Sequence, residues 1–296
     1  MENIDISAIS LEKITIPQAT EKNVDVSVLR LDKIHQLISG NKWFKLQYYL
    51  ADARKKKKHT IITRGGAWSN HIIATAAACQ VEKFQSIGLI RGEEPRHVSA
   101  TLRSAKKYGM ELFFMSRENY RNKRIPEDIH KDDYYFIEEG GYGRLGMHGA
   151  ATILSLLQEN DFTHIACAVG TGTMLAGLAQ AAVPGQQLIG ISVLKGNYQL
   201  HDAVNNLLDS PRNNFIITHD YHFGGYARDE LLLIDFMNAF YKQTGIPSDF
   251  VYTGKLFYAL NDLIDKKFFP HSSRVLVIHS GGLQGNASLN KGTLIF

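Results

Sequence analysis

Short apolar runs alternate with longer stretches of helical periodicity along most of the chain. Val24, Val26 and Val28 alternate with polar residues, a pattern of period two that is typical of a half-buried strand. Further runs with the length of buried strands lie at residues 60–63, 84–89, 111–115, 135–137, 164–169, 188–193, 215–218 and 275–279. Helical patterns cover residues 45–56, 69–79, 96–108, 146–159, 229–242 and 254–266, and a further one begins at residue 173. This alternation predicts an α/β fold with parallel sheets and helices on both faces.

Glycine-rich turns follow several of the predicted strands. They contain Gly65-Gly66, Gly140-Gly141, Gly170-Thr171-Gly172-Thr173 and Gly281-Gly282. In open α/β sheets, ligands bind beyond the carboxyl ends of the strands. We therefore expect these turns to converge on one cleft, and the length of 296 residues accommodates two such sheets.

Composition and charge are ordinary for a globular protein with a full core. Hydrophobic residues make up 44% of the chain, charged residues 21%, and the formal net charge is +4. Positive charge is concentrated in the run Arg54-Lys55-Lys56-Lys57-Lys58-His59. Because no aromatic residues interleave with it, we interpret it as the solvated C-terminal end of a helix and expect no nucleic-acid partner.

Cysteine content and hydropathy indicate the compartment. Cys79 and Cys167 are two isolated cysteines, which make neither a disulfide framework nor a metal site, so we expect no metal. The first residues lack the basic-then-apolar pattern of a signal peptide. No apolar stretch approaches the roughly 18 residues of a membrane span. These observations predict a soluble protein of the cytoplasm, of the size of an enzyme, without a membrane partner.

Lys42 follows Ser39-Gly40-Asn41 at the head of an amphipathic run. The helix dipole disfavours an ammonium at a helix start and lowers its pKa. Lys45, three residues on, adds like-charge repulsion in the same direction. A lysine that loses its proton easily is what Schiff-base chemistry requires. The alternative is a surface helix start with two solvated lysines.

Residues 164–178 have the pattern of a strand, a glycine-rich turn and a helix. Backbone amides at such a helix start, with the hydroxyls of Thr171 and Thr173, form a phosphate cradle. The turn is not a dinucleotide fingerprint, because Leu175 stands where the third glycine belongs, and no Gly-Lys-Ser/Thr of a P-loop follows. It therefore indicates a smaller phosphorylated ligand, with a purely structural turn as the alternative.

Ser69-Asn70-His71 follows Gly65-Gly66 at another helix start. We expect Ser69 to be the N-cap, which leaves the side-chain amide of Asn70 free for a ligand oxygen. His71 is either a base or a first-turn residue. A serine-hydrolase elbow is disfavoured, because the serine is not centred between two glycines.

Together these segments resemble the pyridoxal-phosphate (PLP) enzymes of the tryptophan synthase β-like fold, which is fold type II. Within this group, the chain resembles the 1-aminocyclopropane-1-carboxylate deaminase / D-cysteine desulfhydrase family. The matching segments, in family order, are Ser39-Gly40-Asn41-Lys42, Gly65-Gly66-Ala67-Trp68-Ser69-Asn70-His71, Glu139-Gly140-Gly141, Gly170-Thr171-Gly172-Thr173, Gly224-Gly225-Tyr226, Tyr252-Thr253-Gly254-Lys255 and His279-Ser280-Gly281-Gly282. The resemblance implies two open three-layer αβα domains with the cofactor in the cleft between them. We place the large PLP-binding domain at residues 1–45 and 150–296 and the small domain at residues 46–149.

The resemblance also implies which residues hold the cofactor. Lys42 matches the lysine that bonds to the cofactor aldehyde, Asn70 matches the asparagine that bonds its phenolic oxygen, and Lys45 matches a lysine near its phosphate. The phosphate loop is matched by Gly170, Thr171, Gly172 and Thr173.

Other matches concern the substrate and the chemistry. Ser69 matches a serine at the substrate carboxylate with a second role in proton relay, and Asn70 and His71 lie beside it. Tyr226 and Tyr252 match two active-site tyrosines, one near the reacting group and one near the ring. The proton donor and acceptor stay open among Lys42, Ser69, Tyr226 and Tyr252.

Thr253 matches the position that faces the pyridine nitrogen. A carboxylate there would keep the nitrogen protonated and make the ring a strong electron sink, which cyclopropane ring opening needs. A neutral hydroxyl suits elimination of a good leaving group instead. We therefore expect α,β-elimination from D-cysteine to pyruvate, ammonia and hydrogen sulfide.

The alternatives are 1-aminocyclopropane-1-carboxylate deaminase, a catalytically quiet PLP-binding protein, and threonine dehydratase or amino-acid racemase activity. The quiet alternative is motivated by a departure from the family, Phe44 in place of an arginine, which we expect to change the polar surroundings of Lys42. The expected partner is a small amino-acid substrate, and the resemblance implies a homodimer.

Overall fold

The computed structural model describes residues 4–35, 37–38, 40–127, 129 and 133–296 of the chain. Within these residues, ten strands form two sheets. The strands are β1 (Leu11–Ile14), β2 (Asp25–Arg30), β3 (Thr60–Gly65), β4 (Gln85–Arg91), β5 (Met110–Met115), β6 (Tyr134–Ile137), β7 (His164–Val169), β8 (Gln187–Ser192), β9 (Phe215–Thr218) and β10 (Arg274–His279).

In the described part of the chain, ten α-helices connect these strands or follow them. They are α1 (Pro17–Glu21), α2 (Asn41–Lys55), α3 (Asn70–Val81), α4 (Ala100–Lys107), α5 (Arg117–Arg121), α6 (Arg144–Ala151), α7 (Thr173–Ala181), α8 (Leu200–Asn205), α9 (Leu231–Thr244) and α10 (Thr253–Asp265). Short 3₁₀ turns lie at Ile6–Ala8, Leu31–Lys33, Glu139–Gly141, Thr152–Leu156 and Leu283–Ser288. Within the described part of the chain, no helix is both long and apolar enough to cross a bilayer.

The larger sheet has six strands in the order β1-β2-β10-β7-β8-β9, and the smaller sheet has four in the order β5-β4-β3-β6. All neighbouring pairs are parallel except β1 and β2, which run antiparallel with Leu11 opposite Leu29. The parallel pairs confirm the predicted sheet type. Strand β1 was missed, because its sequence Leu-Glu-Lys-Ile carries only two apolar residues.

Strand β7 shows why helices cover both faces of the larger sheet. Ile165, Cys167 and Val169 pack with the apolar sides of α6 and α7, whereas Ala166 and Ala168 pack with α9 and α10. Successive side chains of a strand point to opposite faces, so a strand that is apolar at every position needs a layer on each side. The three-layer arrangement follows from this continuous burial.

The predicted helices are largely confirmed, and the largest error concerns residues 146–159. The α-helix there ends at Ala151 and continues as the 3₁₀ turn Thr152–Leu156. The hydroxyl of Thr152 donates to the carbonyl of Gly149 at 2.7 Å, and Ser155 Oγ donates to the carbonyl of Thr152 at 2.7 Å. Such local side-chain bonds compete with helical ones, which explains the early end.

The smaller sheet lies wholly between residues 60 and 137, and the larger sheet takes its strands from both sides of that segment. The predicted boundaries at 45/46 and 149/150 fall inside α2 and α6. These two helices pack closely, since a Cβ on Gly149 would lie 1.9 Å from the carbonyl oxygen of Phe44. The division into two domains at these residues stays a prediction.

Candidate active site

A cavity of about 630 Å³ lies where the glycine-rich turns of the two sheets meet. Its lining includes Gly66 after β3, Gly170 and Gly172 after β7, and Gly281 and Gly282 after β10. The prediction that these turns converge on one cleft is confirmed. Of the residues assigned from the sequence, the lining contains Lys42, Lys45, Ser69, Asn70, His71, Gly170, Thr171, Gly172, Thr173, Tyr226 and Tyr252.

Lys42 lies in the first turn of α2, and Gly40 precedes that helix with φ of 69°. A Cβ on Gly40 would lie 1.7 Å from the carbonyl oxygen of Ser280, so only glycine fits between α2 and the turn after β10. The pKa of Lys42 is lowered to about 8, because the effect of burial outweighs the charge of Asp249, which raises the pKa. The predicted direction is right, but burial is the largest cause. Ser39 of the matching segment lies outside the described residues.

Lys45 is buried one turn further along α2, where its Nζ donates to the carbonyl of Gly140 at 3.3 Å. Burial lowers its pKa well below the usual range, and the neighbouring charge of Lys42 lowers it further. The like-charge repulsion expected between the two lysines therefore acts on Lys45. In contrast, Lys42 has no hydrogen-bond or ion-pair acceptor among the described residues, which leaves its amine available.

Residues 170–173 form a cradle at the start of α7, where Gly172 has φ of 85°. The hydroxyls of Thr171 and Thr173 lie 3.0 Å apart. Gly140 lies against this turn, since a Cβ there would approach Thr171 Cγ2 to 2.8 Å. Free backbone amides at a helix start and two hydroxyls together provide the donors that an anion needs.

Ser69 is the N-cap of α3, as predicted: its Oγ accepts from the backbone amides of His71 at 3.2 Å and Ile72 at 3.4 Å. Asn70 is held by the turn after β10. Gln284 Nε2 donates to Asn70 Oδ1 at 2.7 Å, and Asn70 Nδ2 lies 3.5 Å from the carbonyl oxygen of Gly282. Its amide therefore has a fixed position at the cavity wall.

His71 is anchored to β3 through the hydroxyl of Thr63. Its Nε2 lies 2.8 Å from the hydroxyl of Thr63, and that hydroxyl donates to the carbonyl of Ile137 at 2.8 Å. The imidazole must therefore donate from Nε2, which fixes its tautomer. Burial lowers the pKa of His71 well below its usual range, and the charges of Lys42 and Lys45 lower it further. This geometry favours the first-turn interpretation over a base.

Tyr226 and Tyr252 pack edge to face in the cavity wall, with ring centroids 6.2 Å apart at 76°. Tyr226 is 42% exposed, whereas Tyr252 packs against Gly170. Burial raises the pKa of both hydroxyls, and that of Tyr252 lies well above its usual range. Both phenols are therefore protonated near neutral pH, and their side chains are hydrogen-bonded to each other.

Thr253 does not belong to the cavity lining, contrary to the expectation that it faces a bound ring. It is fully buried, and its hydroxyl donates to Asp249 Oδ1 at 2.7 Å. Asp249 also accepts backbone amides of Val251, Tyr252 and Thr253 at the start of α10. Ser280, directly after β10, does line the cavity and places a hydroxyl there.

A match to the family described as "Pyridoxal-phosphate dependent enzyme" covers residues 14–281. The chain belongs to this family. Its cofactor is therefore pyridoxal phosphate, and the fold class implied by the sequence resemblance is confirmed.

Two named proteins and one solved structure are similar to this PLP enzyme over most of its length. A protein of Pyrococcus abyssi, provisionally named 1-aminocyclopropane-1-carboxylate deaminase, is 30% identical over 90% of this chain and 86% of its own. The D-cysteine desulfhydrase of Klebsiella pneumoniae is 26% identical over 87% of each chain. A crystal structure described as an ACC deaminase homologue superposes with a TM-score of 0.83 at 26% identity, covering 96% of this chain and 92% of that one.

The residues of the cavity fit the cofactor chemically. The cradle at the start of α7 offers donors for its phosphate, Asn70 offers an amide for its phenolic oxygen, and Lys42 offers an amine with a lowered pKa for its aldehyde. Phe44, which stands in place of the family's arginine, is buried in the core of the larger sheet and outside the lining. The expectation that its replacement of an arginine alters the polar surroundings of Lys42 stays a prediction.

Lys255 was not assigned a role from the sequence, although it is fully buried. Its Nζ donates to the carbonyls of His222 at 2.8 Å and Gly225 at 2.6 Å, and lies 3.4 Å from that of Val193. Burial lowers the pKa of Lys255 to about 8, although the charge of Asp249 raises it. The ammonium thus ties α10 to the loop that presents Tyr226.

We expect Gly140→Ala to weaken binding of pyridoxal phosphate to the apoenzyme about tenfold, because the new Cβ displaces Thr171 in the phosphate cradle. Gly245→Ala is the matched control: Gly245 has φ of 70°, close to the 69° of Gly140, but its Cβ would meet nothing within 4 Å. Titration of apoenzyme with the cofactor, followed by absorbance, measures both dissociation constants. Equal affinities in the two variants would contradict the cradle.

We expect Thr253→Val to lower the free energy of unfolding by about 1–3 kcal/mol, because a buried carboxylate loses its hydroxyl donor. Thr75→Val is the control, since the Thr75 hydroxyl is equally buried and has no hydrogen-bond partner among the described residues. That variant should be as stable as the native protein or more so. Urea unfolding compares them, and a stable Thr253→Val variant would show that the contact with Asp249 contributes nothing.

Proposed function

We propose that this PLP-dependent enzyme is a lyase that eliminates hydrogen sulfide from D-cysteine. D-Cysteine and one water give pyruvate, ammonia and hydrogen sulfide. When bound, pyridoxal phosphate supplies the electron sink that stabilises negative charge at the substrate Cα. The proposal depends mainly on the carboxylates of the cavity wall.

Among the described residues that line the cavity, the carboxylates are those of Glu138 and Glu139. Glu138 Oε1 lies 2.7 Å from Lys123 Nζ, and Glu139 Oε2 accepts from the hydroxyl of Tyr120 at 2.9 Å. Both are therefore committed to partners in the wall. With no free carboxylate to hold the pyridine nitrogen protonated, the site favours a reaction in which a good leaving group departs readily.

The chain's own groups have clear tasks in such an elimination. The Lys42 amine, with its pKa lowered to about 8, is suited to take a proton from the substrate Cα near neutral pH. Ser69 Oγ accepts from two backbone amides and keeps its own proton free to donate to the substrate carboxylate. Tyr226 and Tyr252 place a contacting pair of protonated phenols in the cavity wall.

The names of the relatives support two candidate substrates. The Klebsiella protein is a D-cysteine desulfhydrase, which agrees with the proposal. The Pyrococcus protein favours the alternative, in which 1-aminocyclopropane-1-carboxylate and water give 2-oxobutanoate and ammonia. For the catalytically quiet alternative, Phe44 gives no direct support, because it lies in the core and not at the cavity.

Purified holoenzyme incubated separately with D-cysteine, L-cysteine and 1-aminocyclopropane-1-carboxylate tests the proposal. We expect sulfide and pyruvate in equal amounts from D-cysteine, and much less from L-cysteine. Formation of 2-oxobutanoate from the cyclopropane substrate, without sulfide from D-cysteine, would establish the alternative. An absorbance spectrum typical of bound cofactor, with no product from any of the three, would favour the quiet protein.

We also propose a cytoplasmic homodimer, on the basis of the sequence resemblance and the two isolated cysteines. Both Cys79 and Cys167 are buried free thiols, and burial raises the pKa of Cys167 to about 12. Light scattering on the eluate of a sizing column measures the mass in solution. A mass of one chain of 33.2 kDa would contradict the dimer.

A further inference from the structure

Among the described lining residues, four carry a lysine or arginine side chain, and three of these have tasks already described or partners in the wall. Lys42 is required for the cofactor aldehyde, Lys45 donates to the carbonyl of Gly140, and Lys123 pairs with Glu138. The fourth is Arg91. Its guanidinium has no hydrogen-bond acceptor and no ion-pair partner among the described residues.

Arg91 is the last residue of β4, beside the point where β3 leads into the turn that carries Ser69. Its Nη2 atom lies 3.6 Å from the position that a Cβ on Gly66 would occupy. The guanidinium therefore lies along the backbone of this turn, with the Tyr120 ring centroid 5.9 Å away. A planar fork of donors in this position is suited to bidentate binding of a carboxylate.

Its charge acts at the cavity mouth and not at the reacting centre. Arg91 is exposed to solvent, and its charge is one of those that lower the pKa of Tyr226, which is itself 42% exposed. The charge that acts on Lys42 comes from Asp249. Because the substrate Cα must lie near the Lys42 amine, Arg91 is placed to meet the other end of the substrate.

We propose that Arg91 binds an anionic group at the end of the substrate side chain, so that the enzyme prefers β-substituted D-amino acids whose leaving group carries a carboxylate. This inference rests on the proposed elimination and extends its substrate class beyond D-cysteine. For S-carboxymethyl-D-cysteine, the Cα–H bond and the Cβ–S bond break, the sulfur leaves with the bonding electrons, and water completes the reaction. The products are pyruvate, ammonia and thioglycolate.

A matched pair of substrates tests the charge alone. S-carboxymethyl-D-cysteine and S-carbamoylmethyl-D-cysteine have nearly the same shape, but only the first ends in an anion. We expect kcat/KM of the holoenzyme, followed through pyruvate and free thiol, to be about tenfold higher for the carboxylate, as for one charge-assisted hydrogen-bonded pair. In Arg91→Met this ratio should fall to about one, and Arg91→Lys should restore part of it.

Arg117→Met is the control, since it removes an exposed arginine of α5 that is outside the cavity lining. It should keep the native ratio. A ratio near one in the native enzyme would overturn the inference. So would an equal loss for both substrates in Arg91→Met, which would place Arg91 at the α-carboxylate or in a structural role.

Binding measurements separate this inference from the proposed function. The change in cofactor absorbance on mixing gives a dissociation constant for each compound without turnover. If D-cysteine releases no sulfide, the elimination fails, yet tighter binding of the carboxylate than of the amide, lost in Arg91→Met, would still support the anion site. If D-cysteine is turned over but the two compounds bind equally, only the anion site fails.

Discussion

Replacement of Lys42 by alanine is expected to abolish covalent retention of pyridoxal phosphate and to lower the rate of elimination by about 10³-fold or more, as for the loss of a group that moves a proton. The amine is in the cavity wall, its pKa is lowered to about 8, and it has no hydrogen-bond acceptor among the described residues. Borohydride reduction of the native holoenzyme, followed by peptide mapping, should place the pyridoxyl group on Lys42.

Lys45 makes this experiment informative, because a second amine with a strongly lowered pKa lines the same cavity. Its Nζ is engaged with the carbonyl of Gly140. In Lys45→Met we therefore expect the reduced cofactor still on Lys42, with weaker overall binding. A pyridoxyl group on Lys45 in the native enzyme would reverse the two assignments.

The second large effect is expected at Lys255. In Lys255→Met, the carbonyls of Val193, His222 and Gly225 lose a common buried donor, and we expect the free energy of unfolding to fall by about 3 kcal/mol. Release of the loop should also lower kcat more than it raises KM, because Tyr226 lines the cavity directly after Gly225. Urea unfolding and steady-state kinetics measure these effects.

Lys266→Met is the matched control for Lys255, since Lys266 directly follows the same helix but is 65% exposed in its pair with Asp262. Exposed pairs of this kind contribute less than about 1 kcal/mol. Hydrogen exchange of the peptide around residues 219–228 should accelerate in Lys255→Met and not in Lys266→Met. Equal exchange in both variants would show that the buried ammonium does not hold the loop.

The sequence predicted the layers of the fold and most of the cavity, because both depend on local patterns. The continuous apolar runs indicated buried parallel strands, and the glycine pairs marked the turns at their carboxyl ends. The N-cap role of Ser69 followed from its position before a helix. The lowered pKa of Lys42 was expected, but its main cause is burial, which depends on tertiary packing.

The position of Thr253 was implied by the family resemblance, and no local pattern indicated its surroundings. Adjacent residues of a helix point about 100° apart. Tyr252 at the start of α10 faces the cavity, and Thr253 is therefore turned towards Asp249. Asp249 and Lys255 were missed for a similar reason, since an isolated aspartate or lysine is usually solvated. Only the apolar neighbours of Lys255 in Gly254-Lys255-Leu256-Phe257 hinted at its burial.

The path of the chain between the two sheets has a mechanical consequence. Both crossings run through helices, α2 and α6, which touch where Gly149 meets the backbone of Phe44. Neither crossing is a flexible linker, so the two sheets cannot move independently of each other. The helices begin directly after Gly40 and Gly143, whose φ values of 69° and 140° are accessible to glycine. Because Lys42 lies two residues after Gly40, any rotation of the backbone at Gly40 would also move the Lys42 amine.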